Sequence, residues 1–333
     1  MDTLNARLPP HHRSGYVAVV GKPNAGKSSL MNQLVGQKVS IVSQKPQTTR
    51  HQILGIVSEE EYQVVLFDTP GVIAERRNKL EEVMMRNVRT AMINASAVLA
   101  IVDATLEPIR ILEAVHDSVD RTAPPSQPGG SGGEGGEVGE EEELRAMQRP
   151  LLVVLNKKDL VRPRDLADKV EWYEQNSGAD DVIAVSAKYG QGVGAVRQWM
   201  LSKMPLGPAY YPKDIVSEHP ERFFVAEILR EKIFLQYKQE VPYACQVNCV
   251  DYKARPAGKD MIYLEIVVEK DNQKGILIGK GGEALKKLAM AARKDIEDFL
   301  QKEVFLDLRV SVSAGWREDE RLLDMYGFED IRA

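Results

Sequence analysis

Apolar residues in the first two thirds of the chain come in short, near-continuous runs, separated by stretches with helical periodicity. Five such runs predict strands at 16–20, 62–67, 97–102, 151–155 and 182–185. Strands that are apolar on both faces are typical of parallel sheets covered by helices on both sides. The pattern therefore predicts an α/β domain with a doubly wound, mainly parallel sheet, which we expect to extend over residues 15–204.

A different order of elements follows a proline-rich stretch at 205–216, which we interpret as a linker. Residues 217–333 predict a helix, two strands, a helical region, another strand and a short polar C-terminal helix. These elements are expected at 222–238, 244–254, 261–269, 276–299, 304–313 and 316–325. Helices and strands in this order predict an α+β domain that folds as a second unit.

Two segments lack the apolar residues of a folded element. Residues 1–14 are expected to form a flexible N-terminal tail, without the apolar core of a secretory signal. Residues 121–149 contain seven glycines and six glutamates, and too little apolar surface to offset the entropy of ordering the backbone. We predict that 122–143 form a disordered surface insertion, with an interaction tail as the alternative.

The overall composition is that of a globular protein, with 43% apolar residues and a net charge of −5. This charge argues against bulk attraction to nucleic acid, but it is compatible with a local basic site. No apolar run approaches the roughly 20 residues that span a bilayer. Cys245 and Cys249 share one predicted strand, and we interpret them as small buried residues of a reduced protein, not as metal ligands.

A glycine-rich loop lies between the first predicted strand and a predicted helix. Its spacing, G-x-x-x-x-G-K-S, is met by Gly21, Gly26, Lys27 and Ser28. The backbone N–H groups of such a loop can surround phosphate oxygens, while the lysine reaches the β- and γ-phosphates and the serine hydroxyl ligates Mg²⁺. The other loop residues expected to contact the nucleotide are Asn24, Ala25 and Ser29.

Three further motifs, each at the end of a predicted strand, identify the nucleotide. D-T-P-G at 68–71 supplies Asp68, which can hold Mg²⁺ through water, and the Gly71 N–H for the γ-phosphate. N-K-K-D at 156–159 supplies Asp159, whose carboxylate can accept the guanine N1–H and N2–H₂ donors that adenine lacks. Asn156 of the same motif is expected on the N7 side of guanine, and Lys157 is expected along the base. The third motif, S-A-K, consists of Ser186, Ala187 and Lys188 and is expected to contact guanine O6. The sequence thus predicts GTP and GDP as ligands.

These four motifs resemble those of the GTPases related to translation factors. The resemblance implies that Thr49, with Thr48 as the alternative, lies in the effector loop that closes on Mg²⁺ and the γ-phosphate. The implied Mg²⁺ ligands are Ser28, Thr49 and Asp68.

The catalytic groups are less directly indicated. Many small GTPases orient the attacking water with a glutamine after D-x-x-G, but Val72 stands at that position here. The chain resembles the subfamily with a hydrophobic residue there, and slow intrinsic turnover is expected. Asn24 matches the position that coordinates K⁺ in potassium-dependent relatives, and a simple turn residue is the alternative. The candidate catalytic residues are Lys27, Thr49, Asn24 and Gly71.

A second glycine-rich loop lies in the helical region of the second domain. Gly279, Lys280, Gly281 and Gly282 form a G-x-x-G motif within 270–294, where seven Lys or Arg residues face two Asp or Glu, a local charge of +5. Glycines there would let an RNA backbone approach while lysines contact its phosphates, as in KH domains. A solvated basic helix is the alternative. The other residues expected to bind RNA are Ile278, Lys286 and Lys287.

A GTPase domain followed by a KH domain of the bacterial (type II) order resembles the Era family of ribosome-assembly GTPases. The resemblance covers about 15–333, includes G-W-R-E-D-E-R-L at 315–322, and at P-Y-A-C-Q-V (242–247) is most like the plant and algal plastid branch. It implies binding near the 3′ end of small-subunit rRNA during assembly of a 30S-type subunit, with GTP and GDP controlling association and release.

The same resemblance implies a monomer in the chloroplast stroma, with the bacterial cytoplasm as the alternative location. Two other function classes stay open: an enzyme that uses GTP in metabolism or RNA modification, and a GTPase at a membrane surface. Peripheral membrane association would use the apolar side of the helix at 222–238, for which core packing is the favoured interpretation. Its large apolar residues are Phe223, Phe224, Ile228 and Phe234.

Overall fold

The structure, a computed structural model, describes residues 9–43, 45–72, 78–108 and 149–328. In these residues the first domain contains the strands β1 (Arg13–Val20), β2 (Ile53–Ser58), β3 (Tyr62–Asp68), β4 (Ala97–Asp103), β5 (Leu151–Asn156) and β6 (Asp181–Ala184). They form one sheet with the spatial order β2-β3-β1-β4-β5-β6. All neighbouring strands are parallel except β2 and β3, which are antiparallel. The predicted insertion at 122–143 lies outside the described residues.

Helices cover both faces of this sheet. Along β1, Val17 and Val19 belong to one apolar cluster, and Ala18 and Val20 belong to the other, as the alternation of side chains in a strand requires. The first cluster includes residues of α1 (Lys27–Val35) and α4 (Val193–Lys203), and the second includes residues of α2 (Lys79–Asn94) and α3 (Pro163–Asn176). The α/β architecture with a doubly wound, mainly parallel sheet is therefore confirmed.

Strand β2 is absent from the elements predicted from sequence. Gly55 interrupts the apolar pattern of this strand. A Cβ atom at Gly55 would lie 2.5 Å from the Met31 side chain and 2.8 Å from that of Val35. The glycine thus allows α1 to pack closely on β2, a tertiary requirement that hides the strand in the sequence.

The second domain has a three-stranded sheet of order β7-β8-β9, in which β7 is antiparallel and β9 parallel to β8. The helical region predicted at 276–299 consists of two helices joined at the G-x-x-G motif. The elements in chain order are α5 (Glu221–Gln236), α6 (Val241–Ala244), β7 (Gln246–Lys253), β8 (Asp260–Val268), α7 (Asp271–Ile278), α8 (Glu283–Leu300), β9 (Val304–Val312) and α9 (Glu320–Met325).

The N-terminal tail predicted at 1–14 is shorter in the structure, because β1 begins at Arg13. The Arg13 guanidinium donates to the Met204 carbonyl oxygen over 2.6 Å, and the His12 ring bonds the Gly207 carbonyl oxygen at 2.8 Å. Residues 9–14 are therefore held against the start of the linker. Tail residues 1–8 lie outside the described residues.

The C-terminal segment packs on the first domain as well as on the second. Trp316, Leu323 and Phe328 are buried in the apolar cluster that contains Met84 and Val88 of α2. The helix predicted there as polar thus has an apolar side that closes the interface between the domains.

The apolar side of α5 is also internal, since Phe224, Ile228 and Phe234 are buried. Among the described residues, no helix combines the length and the apolar character that crossing a membrane requires.

Candidate functional site

The glycine-rich loop connects the end of β1 to the first turn of α1, which begins at Lys27. Its two motif glycines have positive φ angles, 148° at Gly21 and 95° at Gly26. A Cβ atom would lie 2.3 Å from the Ile101 carbonyl oxygen at the first position and 2.1 Å from the Asn156 amide nitrogen at the second. Both positions therefore require glycine, and the loop places backbone N–H groups and the helix N-terminus around one space, where an anion is favoured.

Lys27 lies inside this loop with 6% of its surface exposed. Its ammonium group donates to the carbonyl oxygens of Gly21 and Lys22 over 3.0 and 3.1 Å. Burial lowers the pKa of Lys27 to about 8, against the opposing influence of the Asp68 carboxylate. Phosphate oxygens in the loop would stabilise the charged form of this side chain.

Four oxygen-bearing side chains meet beside Lys27. The Ser28 hydroxyl donates to Asp68 Oδ2 over 2.7 Å and lies 3.0 Å from Thr49 Oγ1. The Ser40 hydroxyl also donates to Asp68 Oδ2, over 2.7 Å. Burial raises the pKa of Asp68, and the bonds from the two serines and the charge of Lys27 oppose this rise.

This group of oxygens fits a magnesium ion. Asp68 is fully buried, and among the described residues none donates a hydrogen bond to its second oxygen, Oδ1. Mg²⁺ is typically held by one or two carboxylates, hydroxyls and water together with substrate phosphates. Ser28, Thr49 and Asp68 would hold the ion.

The structure separates the two candidate threonines of the effector loop. Thr49 faces Ser28, whereas the Thr48 hydroxyl donates to the Lys45 carbonyl oxygen over 2.8 Å and bonds Ser43. Thr48 therefore stabilises a turn, and Thr49 is the residue next to the oxygen cluster.

D-T-P-G packs directly on the glycine-rich loop. The Val72 N–H donates to the Gly21 carbonyl oxygen over 3.1 Å, and a Cβ atom at Gly71 would lie 2.7–2.9 Å from atoms of Pro23. The Val72 side chain packs on the apolar cluster beneath α2. Asn24, on the facing loop, has a φ of 64°, a conformation that asparagine adopts more readily than most residues.

Asn156 joins the glycine-rich loop to S-A-K. Its amide nitrogen donates to the Ala25 carbonyl oxygen over 2.8 Å, and its amide oxygen accepts from the Ala187 N–H over 2.9 Å. We expected this side chain on the N7 side of guanine. Because it has one further N–H donor, it can brace the two loops and still contact a base.

The other predicted base-binding residues follow the ends of the neighbouring strands β5 and β6. The Ser186 hydroxyl donates to Asp159 Oδ1 over 2.5 Å, which orients the exposed carboxylate. Lys157, with a φ of 67°, donates to Asp103 Oδ2 over 2.5 Å. Burial pushes the pKa of Asp103 upward, but the bonds from Lys157 and Thr105 outweigh it and lower this pKa.

Two of these partners, Ser40 and Asp103, were missed by the sequence reading. Asp103 had a signal, because it is a carboxylate at the end of a predicted apolar strand, as Asp68 is. Ser40 had none, since it lies in an irregular segment 28 positions before its partner Asp68.

The second glycine-rich motif forms the tight connection between α7 and α8. Gly279, Gly281 and Gly282 have φ angles of 71°, 61° and 80°. Space around the last two is open, whereas a Cβ atom at Gly279 would lie 2.6 Å from that of Ala284. The connection thus presents an unobstructed backbone, and half-buried Ile278 lies next to it. The exposed cationic side chains beside this backbone are those of Lys280, Lys286 and Lys287.

Comparison with known proteins agrees with both sites. Residues 16–157 match the family described as 50S ribosome-binding GTPase, and residues 240–317 match the KH domain family. The chain is 55% identical to GTPase ERA1, chloroplastic, of Zea mays over 98% of this chain and 73% of that protein. It is 38% identical to GTPase Era of a Geobacter strain over 95% of this chain and 98% of that protein.

Solved structures match over both domains. A structure of Era with MgGDPNP and nucleotides 1506–1542 of 16S ribosomal RNA has a TM-score of 0.83 at 30% identity, over 96% of this chain and 99% of that one. Era of Aquifex aeolicus bound to GDP·AlF₄⁻ has a TM-score of 0.82 at 30% identity, over 95% of this chain and 99% of that one.

Proposed function

The chain belongs to the Era family of GTPases, and on this premise we propose that it binds small-subunit rRNA near the 3′ end and assists assembly of a 30S-type subunit. The protein is a GTPase that hydrolyses GTP to GDP and phosphate. We propose that the nucleotide state controls association with the RNA and release from it, so that hydrolysis acts as a timer. The observation that carries the proposal is the match of both domains to the Era structure that contains 16S rRNA nucleotides 1506–1542.

The two kinds of match differ in the subunit that they name. The family model that mentions the 50S subunit covers residues 16–157, which lie in the GTPase domain. The G-x-x-G motif at 279–282 lies outside that range. Because this motif carries the groups suited to RNA, the match over both domains has the greater weight and favours the small subunit.

The hydrolytic site needs little covalent chemistry from the protein, since phosphoryl transfer depends mainly on positioning and charge stabilisation. Mg²⁺, when bound, supplies positive charge that neutralises the developing negative charge on the phosphates. Lys27 and the N–H groups of the loop would hold the β- and γ-phosphates, and the Gly71 N–H would donate to the γ-phosphate. Val72 has no group that could orient water, so we expect slow intrinsic turnover.

We propose that Asn24 coordinates K⁺ and thereby adds positive charge to the transition state. Replacing Na⁺ by K⁺ should then raise the hydrolysis rate about 10-fold or more. This increase is smaller than the roughly 100- to 1,000-fold effect that one preorganised electrostatic contact can have on a rate. Asn24→Gly should abolish the increase, because glycine keeps the positive φ and removes the amide. Hydrolysis is measured as phosphate release under single-turnover conditions. Equal rates of the wild type in Na⁺ and K⁺ would refute the role of Asn24.

We infer that the RNA lies along the G-x-x-G connection, with phosphates against Lys280, Lys286 and Lys287. The half-buried side chain of Ile278 and the glycine backbone would form the floor for the bases. This arrangement follows the KH mode, in which a G-x-x-G loop clamps about four nucleotides.

Gly281→Asp should weaken binding of a 3′-terminal small-subunit rRNA fragment about 100-fold, because it adds bulk and negative charge where the RNA backbone approaches. Gly258→Asp is the matched control: Gly258 also has a positive φ, 90°, and open space around it, but it lies in the turn between β7 and β8. Affinities are measured by fluorescence anisotropy with GTP analogue and with GDP. Unmeasurable RNA binding by the wild type in both states would overturn the proposed function.

The plant relatives named chloroplastic support a location in the chloroplast, and we propose the stroma as the compartment and a monomer as the working form. We propose 15–204, 205–216 and 217–333 as the GTPase domain, linker and KH domain, with β1 extending the first domain to Arg13.

A further inference from the structure

The effector segment, defined as residues 38–43 and 45–51, lies between α1 and β2 and contacts the KH domain at several points. The Lys38 ammonium donates to Glu231 Oε2 over 2.6 Å, and the Val42 N–H donates to Glu231 Oε1 over 2.9 Å. Glu231 is a buried residue of α5. One carboxylate of the KH domain therefore holds two positions of the segment.

A second contact lies at the C-terminal end of α5. The Lys45 ammonium donates to the carbonyl oxygens of Phe234 and Tyr237. The last carbonyl groups of a helix have no partner within it, and a cation there is also favoured by the helix dipole. This contact fixes the middle of the effector segment to the KH domain.

Arg50 makes the third contact and reaches deepest into the KH domain. Its guanidinium donates to the carbonyl oxygens of Cys245 over 2.7 Å, Tyr243 over 2.8 Å and Pro242 over 3.2 Å. These carbonyls lie in and just after α6, and only 3% of the Arg50 surface is exposed. Burial and the neighbouring Arg230 guanidinium lower the pKa of Arg50, and the Glu227 carboxylate opposes this fall.

Arg50 directly follows Thr49, whose hydroxyl lies 3.0 Å from Ser28 Oγ. Successive Cα atoms are about 3.8 Å apart, so a displacement of the Arg50 backbone moves Thr49 as well. The two side chains thus point to different domains: Thr49 to the oxygen cluster of the nucleotide site, and Arg50 to the carbonyl groups of α6.

We propose that Arg50 is a positioning residue through which the KH domain holds Thr49 in the GTP site, so that binding of the triphosphate and seating of the KH domain depend on each other. The proposal rests on the proposed function in one respect, the contact of Thr49 with Mg²⁺ and the γ-phosphate. GDP has no γ-phosphate and makes no use of that contact. Since coupling between two sites is reciprocal, RNA that favours the seated KH domain would tighten binding of GTP over GDP by the same factor.

The chemistry of Arg50 makes it suited to such a role. A guanidinium carries five donors in a planar fork and can bind three carbonyls at once, whereas a lysine ammonium is a compact point charge on a flexible stem. The interface also contains buried donors without a partner. Arg230, 1% exposed, pairs with the Glu227 carboxylate through Nη2, and within the described part of the chain its Nε and Nη1 have no partner. Buried N–H groups without a partner are costly, so they lower the stability of this interface.

The test compares Arg50→Ala, Arg50→Lys and a matched control, Arg197→Ala. Arg197 also donates to a backbone carbonyl, that of Leu34 over 2.8 Å, but both residues lie within the GTPase domain. Dissociation constants for GDP and for GppNHp are measured with fluorescent nucleotides in Mg²⁺. For Arg50→Ala we expect GppNHp to weaken about 10-fold relative to GDP, within the roughly 5–150-fold range typical of coupled sites. Arg50→Lys should recover little of this preference, and Arg197→Ala should retain the wild-type ratio.

A double-mutant cycle separates positioning from general damage. If Arg50 acts through Thr49, Arg50→Ala should leave the GppNHp:GDP ratio unchanged when Thr49 is already alanine. An unchanged GppNHp:GDP ratio for both Arg50 variants with Thr49 intact would overturn the proposal, and so would a change in this ratio that is equally large in the Thr49→Ala protein. If Arg50→Ala does not fold, Arg50→Lys and its cycle with Thr49→Ala decide the question. Failure of the proposed function has a different signature, because the wild type itself would then show no RNA binding or no preference for guanine nucleotides.

Discussion

Asp159→Asn should lower the affinity for GTP about 1,000-fold and convert the protein into one that prefers XTP. On the proposed function, the wild-type carboxylate would accept the guanine N1–H and N2–H₂ donors, and a site built for such bonds discriminates strongly against a partner that leaves its groups unpaired. Asparagine keeps one acceptor for N1–H and adds a donor for the xanthine O2. The Ser186 hydroxyl, 2.5 Å from Asp159 Oδ1, can orient either side chain. Competition between fluorescent GDP and each triphosphate measures the preference.

Asp165→Asn is the matched control for this substitution. Asp165 lies in the first turn of α3 and pairs with exposed Arg162 at 2.9 Å, so its amide variant should keep the wild-type nucleotide preference. If Asp159→Asn retains GTP selectivity, the guanine pocket is not at N-K-K-D.

Lys27→Ala should reduce single-turnover GTP hydrolysis about 1,000-fold and weaken GTP binding as well. Its ammonium group is enclosed by the loop, where a charge near the β- and γ-phosphates acts in a low dielectric and needs no reorganisation. The substitution also removes one of the two donors to the carbonyl oxygens of Gly21 and Lys22, which keep their bonds from the Val72 and Ala25 N–H groups. Phosphate release and nucleotide titration measure the two effects.

Lys203→Ala provides the control for loss of a lysine in the same domain. Lys203 ends α4, where its ammonium lies 5.6 Å from the centre of the Trp199 ring. Its replacement should leave hydrolysis unchanged. A Lys27→Ala variant that hydrolyses GTP at the wild-type rate would place the phosphates elsewhere.

Much of the nucleotide site could be predicted because its residues follow strands that are readable from the sequence. Asp68 ends β3, Asn156 ends β5, and the glycine-rich loop follows β1. The carboxyl ends of parallel strands converge at one edge of a sheet, so a linear order of motifs implies a spatial cluster. The G-x-x-G connection could be predicted for another reason. Its glycines and the lysines concentrated around them are visible in the local composition of the sequence.

Other features depend on partners that no local pattern identifies. Besides its predicted contact with the base, Asn156 joins Ala25 to Ala187 through its amide, and no local pattern predicts this bridge. Strand β2 was missed because Gly55 serves the packing of α1, not the strand itself. The C-terminal helix was predicted to be polar, because the sequence around it does not show which apolar residues Leu323 and Phe328 contact. These contacts are with α2, which lies far earlier in the chain.

The sequence by itself determined the chemistry of this protein: a phosphate-binding loop, an N-K-K-D motif suited to guanine and a basic G-x-x-G connection follow from residue types at defined spacings. Only the tertiary structure decided how these two parts are joined. Arg50 donates to carbonyl oxygens 192–195 positions later in the chain, and backbone carbonyls are present at every residue, so no residue type marks that partner. The spacing of residues within a motif predicts groups that act close together in the chain. Contacts between domains depend on how the whole chain folds, so motif spacing does not predict them.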